Sequence, residues 1–125
     1  MKNVIIVNQA RSLESPLQAS YCFSFFCRLK GLTFRRKIPE DWGLLLVQAK
    51  DSRIDSAIHM FGVFIDLGII WINEVGEVVD KCLARRWITI KAPQRPARYI
   101  LEIIPERLNE FSLGDKIRFE ESTST

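Results

Sequence analysis

The chain predicts an α+β fold, mainly β: an antiparallel or mixed sheet forming a compact sandwich or barrel, with one longer N-terminal helix and one short C-terminal helix. Three observations predict it. From residue 42 onward the apolar residues fall into short runs and period-two alternation bounded by turn residues. Before that point, residues 15–31 carry apolar positions at helical spacing between a capping signature and a glycine. The whole is 125 residues long, 47% hydrophobic and 26% charged, which suits one ordinary domain whose core needs no disulfide or metal to hold it. The expected domain is residues 1–120, with a disordered tail at 121–125.

The elements follow in order. Residues 4–7 are a β-branched run and read as a strand. Ser15, Pro16 and Gln18 then match an N-cap, a first-turn proline and a capping-box partner. Ala19, Cys22, Phe23, Phe26 and Leu29 recur at helical spacing, and Gly31 supplies the stop. Residues 44–48 read as a strand. Residues 57–61 and 63–72 read as two more, or as one strand bent at Gly62, and Asn73-Glu74-Val75-Gly76 turns the chain into a strand at 77–84. In residues 97–104, Tyr99, Leu101 and Ile103 lie on one side and Arg98 and Glu102 on the other. Pro105 opens a short helix, and Gly114-Asp115 leads into a last strand at 116–120.

Some classes are excluded. The longest uncharged apolar stretches fall well below the roughly 18 to 20 residues of a membrane-spanning helix. The N-terminal run lacks a signal-peptide cleavage pattern. Cys22, Cys27 and Cys82 are an odd number at spacings that fit neither a zinc knuckle nor a Cys-x-x-Cys redox pair, so they read as reduced thiols of a cytoplasmic protein. No phosphate-cradling glycine loop and no nucleophile elbow is present. The net charge is only +3, but eleven of the eighteen basic residues lie in two acid-free windows, 28–37 and 81–98. If the windows meet in space they form a cationic patch suited to phosphate, carboxylate or nucleic acid.

Gly31-Leu32-Thr33-Phe34-Arg35, Ile38-Pro39 and Trp42-Gly43-Leu44-Leu45-Leu46-Val47 resemble the Gly-Leu-Met-Phe-Arg, Leu-Pro and Gly-Met-Leu-Phe-Val succession of a bacterial and archaeal family known as domain of unknown function 192. Ile58-His59-Met60 is similar to the His-bearing form of that family's next motif, and residues 69–79 to its hydrophobic hairpin. Residues 97–102 resemble its last long strand, and Gly114-Asp115-Lys116 its closing turn. The resemblance covers roughly residues 15–120 and implies a compact, mainly β domain with a helix packed on it. It implies no activity. Thr33 stands in place of the family's Met, and Gly68 in place of an Asp that follows the His motif, so a site built on that Asp is absent or rebuilt here.

Two constellations could carry chemistry. His59 is the only histidine, with Asp66 and Cys82 in neighbouring candidate strands. Converging, they would make a general base, its orienting carboxylate and a thiol nucleophile, or a divalent metal site. Arg35, His59 and Arg98 could instead line a pocket for an anion, because the planar guanidinium suits carboxylate and phosphate. The competing reading pairs each arginine with Glu40, Asp41, Glu77 or Glu102. Trp42 and Trp87 would form a binding rim if exposed. The expectation is a non-enzymatic binding or interaction module for a small anion or a protein partner, with no cofactor, no metal and no membrane partner. A small hydrolase or metal-dependent enzyme using His59, Asp66 and Cys82 is the alternative, and nucleic-acid binding through the basic windows a weaker one.

Overall fold

The computed structural model describes residues 2–23, 32 and 36–121. Among the described residues nine strands follow one another: β1 (Asn3–Asn8), β2 (Gln18–Cys22), β3 (Trp42–Ser52), β4 (Ile58–His59), β5 (Leu67–Ile72), β6 (Val78–Ala84), β7 (Ile90–Lys91), β8 (Ala97–Ile103) and β9 (Ile117–Glu121). A short 3-10 helix, η1 (Pro105–Glu110), precedes β9. Seven strands form one sheet in the order β6-β5-β8-β3-β2-β1-β9, while β4 and β7 pair only with each other. The β2–β3 pair is parallel and the other pairs are antiparallel.

The sheet curls until its two edges meet. Glu77, just before β6, bridges Lys116, just before β9. The Ile117 N–H donates to the Gly76 carbonyl at 2.7 Å, and the Val78 N–H to the Asp115 carbonyl at 2.9 Å. These bonds join the edges at the starts of β6 and β9 and pair the donors and acceptors there. Gly76 makes the seam possible: its φ is +89°, and a Cβ there would lie 2.7 Å from the Ile117 carbonyl oxygen.

Two apolar layers result. Leu45, Ile70, Leu101, Ile103 and Phe111 pack inside the curled sheet. Leu44, Leu46, Ile69, Trp71 and Ile100 point the other way and are buried as well, under an outer cover that includes Ile38, Ile58, Met60 and Val63. All six residues of β5, Leu-Gly-Ile-Ile-Trp-Ile, are accordingly buried, as expected of a strand packed on both faces. The Trp71 indole N–H donates to the Ser56 carbonyl at 2.7 Å and so ties the cover to the sheet.

The α+β expectation needs correction. Residues 18–22 are a strand, and among the described residues the only helical element is η1. The capping signature at Ser15 is a local signal. β2 fills the place between β1 and β3, where pairing on both sides outweighs it. Within β2 the alternation is of period two: Ala19 and Tyr21 join the inner layer and Cys22 the outer one. Residues 24–31, the rest of the expected helix, lie outside the described residues, as do Cys27, Arg35 and residues 122–125. Cys22 is disulfide-bonded, against the expectation of a reduced thiol, while Cys82 is free. Among the described residues no helix is long and apolar enough to cross a membrane.

Candidate functional site

The outer cover is built from two turns that brace each other. One runs through residues 60–63, where Gly62 has a φ of +81° and the Val63 N–H donates to the Met60 carbonyl. The other spans 85–89, where the Ile88 and Thr89 N–H groups donate to the Arg85 carbonyl and the Thr89 hydroxyl accepts from the Arg85 N–H. Met60 joins them: its N–H donates to the Thr89 carbonyl and its carbonyl accepts from Trp87. Trp87 has a φ of +64°, a left-handed conformation that is an outlier for so bulky a residue, and such strain concentrates at functional positions.

The result is a crest of apolar side chains. The Trp87 ring meets Phe61 and Phe64 edge to face, each at 5.3 Å between centroids. Phe61, Ile88 and Ile90 are 72%, 74% and 82% exposed, and Trp87 45%. Cations surround them. The Arg36 guanidinium lies 4.9 Å from the Phe64 ring centre. Arg85 is exposed, and Arg86 donates to Asp66 through both its backbone N–H and its Nε. Those two bonds, the backbone one foremost, hold the Asp66 carboxyl below the usual range.

The residues singled out from sequence fall in different places. His59 is exposed on β4, and its strand partner is Ile90, so the imidazole shares a face with the crest. Asp66 is engaged by Arg86. Cys82 is half-buried on β6, and burial pushes its thiol pKa up, partly opposed by Lys91, which is the wrong direction for a thiolate nucleophile. Arg98 donates from Nε to the Gln48 carbonyl at 3.0 Å and lies over Tyr99, fastened to β3. Among the described residues, no hydrogen bond or ion pair joins His59 to Asp66, Cys82 or Arg98. No cluster of three metal-ligating side chains occurs among them either. An open depression of about 380 Å³ lies under residues 11–16, away from all of these groups.

Two charged groups matter more than their sequence context suggests. Glu102 faces the outer layer between Leu44 and Ile69, 7% exposed. Its Oε1 has no hydrogen-bond partner among the described residues, and burial raises its pKa to about 7. Arg107 of η1 is satisfied around its whole fork. It pairs with Glu110 through Nε and a terminal nitrogen, and donates to the Ser15 and Glu40 carbonyls at 2.7 and 2.8 Å. That set fastens η1 to the chain on either side of β2 and is structural.

Similar proteins are of the same kind. A UPF0127 protein of Thermococcus gammatolerans is 30% identical over 98 residues, an alignment covering 78% of this chain but only 62% of that protein. UPF0127 protein PH1112 of Pyrococcus horikoshii is 30% identical over 118 residues, covering 92% of this chain and 98% of that one. A crystal structure from Sinorhizobium meliloti, described as a candidate transcription regulator, has a TM-score of 0.81 at 19% identity, covering 94% of this chain and 92% of that one. At that identity the likeness concerns the fold alone. The profile of domain of unknown function 192, described as an uncharacterized ACR, matches residues 5–119, and the chain belongs to that family.

Proposed function

We propose that this domain is a binding module for an anionic partner and that its contact face is the crest on the outer cover. One observation carries the reading: Phe61, Trp87, Ile88 and Ile90 stand exposed together beside Arg36, Arg85 and Arg86. Grouped exposed apolar side chains mark contact surfaces, and Trp and Arg are the residues that most often dominate binding energy. The nearby carboxylate, Asp66, already accepts from Arg86, so it leaves the positive character of Arg85 and Arg36 in place. The hydrolase reading has less support, because Asp66 is engaged and Cys82 is held protonated.

A fluorescein-labelled peptide alternating Glu with Phe and Leu tests the proposal by anisotropy. Binding should weaken with salt and fall about fivefold or more in Arg85→Ser with Arg36→Ser. Affinity indifferent to both the arginines and salt would refute it. The description of the Sinorhizobium meliloti relative invites a parallel titration with duplex DNA. Tight binding with a steep salt slope, abolished by substitutions away from the crest, would transfer the function to basic residues outside the crest.

A further inference from the structure

We infer that the anionic partner is a lipid surface: Phe61, Trp87, Ile88 and Ile90 enter the headgroup region of an anionic bilayer while Arg36, Arg85 and Arg86 meet its phosphates. The inference rests on the crest being the contact face, as proposed above. A membrane interface favours an inserted turn whose apolar side chains project and whose backbone N–H groups are largely paired. The cover has both features. Phe61, Ile88 and Ile90 are each more than 70% exposed. The N–H groups of Met60, Val63, Arg85, Arg86, Trp87, Ile88 and Thr89 all donate within the cover itself. Insertion would therefore strip water from side chains while leaving these seven N–H groups paired.

Charge points the same way. The arginines flank the apolar tips, the arrangement by which peripheral proteins combine insertion with attraction to acidic headgroups. The same charge opposes a second copy of this chain, since two crests would bring their arginines face to face. A protein groove would need a shape complementary to side chains that project from two separate turns, whereas a fluid interface needs none. From sequence no membrane partner is expected, because no segment is long enough to span. Surface insertion requires no span.

The test is co-sedimentation of the full chain with vesicles of phosphatidylcholine, alone or with about a third phosphatidylglycerol. The protein should bind the anionic vesicles and not the neutral ones, with a blue shift in tryptophan emission that is lost in Trp87→Phe. Phe61→Ser with Ile88→Ser and Ile90→Ser should reduce partitioning at least about tenfold, and Arg85→Ser about fivefold. All five sites are exposed, so unchanged far-ultraviolet dichroism and melting temperature would certify that the variants fold. Equal binding to both vesicle types, or binding that survives the triple substitution, would overturn the inference. So would failure to bind vesicles while the acidic peptide still binds, and in that case the crest remains a contact face for protein. Failure with both probes would remove the contact face as well.

Discussion

Glu102→Gln isolates the cost of one buried carboxyl. The side chain sits against Leu44 and Ile69 without a partner for Oε1 among the described residues, and burial moves its pKa from 4.5 to about 7. Between those two values the unfolded chain has already released this proton while the folded chain still holds it, so stability falls as pH rises. The contribution is fully present below pH 4.5 and gone once the pH passes about 7. At about 1.4 kcal/mol per pH unit the loss is roughly 3 kcal/mol. Glutamine keeps the shape and cannot ionise. Urea unfolding of both proteins at about pH 4 and about pH 8 should show the variant gaining roughly 3 kcal/mol on the parent across the interval. Every other carboxylate is common to both chains and cancels, as does any constant cost of the amide. A difference between the two proteins that stays within about 0.5 kcal/mol over that range would refute the reasoning, since it would mean that water or a cation reaches Glu102.

Arg107→Ala should cost about 3–5 kcal/mol in chemical unfolding, because it leaves the Glu110 carboxylate buried without its cation. Removing Glu110 as well should recover part of that loss. A cost below about 1 kcal/mol would mean the pair is screened by solvent. Gly76→Ala should destabilise by at least about 1–3 kcal/mol and speed exchange of the Ile117 amide, since φ +89° and the 2.7 Å approach to the Ile117 carbonyl both oppose a side chain. Unaltered exchange at Ile117 would show that the seam does not depend on this residue. Trp87→Gly should be about 1 kcal/mol more stable than Trp87→Ala, as both lose the ring contacts but only glycine relieves the positive φ. Equal melting temperatures would show that the turn relaxes around alanine.

The hairpin of β5 and β6 was legible because continuous apolar residues, a turn at 73–76 and a second apolar run are all local signals. The alternation of β8 was legible too, and it placed Arg98 and Glu102 on the same side. What periodicity could not say is that this side carries a second layer, so Glu102 read as a solvent-facing partner for arginine when it is buried among apolar side chains. The helix expected from residue 15 failed for a related reason. Its capping signature describes what the segment does alone, while the open edges of β1 and β3 decide what it does in the fold.

The candidate surface shows the same division. His59 and Trp87 could be singled out from sequence, as an isolated histidine and as an aromatic beside arginines. Their grouping with Phe61, Ile88 and Ile90 depends on a two-residue strand pair and on hydrogen bonds that run from Met60 to Trp87 and Thr89. Those contacts join segments about thirty residues apart, which no local period encodes. By itself the sequence determined the family, the preponderance of strands and the facing of side chains in β8, because these follow from the order of motifs and the two-residue repeat of the β-strand. Tertiary structure alone decided which faces are covered, where the sheet closes and which cations gather beside exposed aromatic rings, because burial and charge proximity are properties of whatever packs across space.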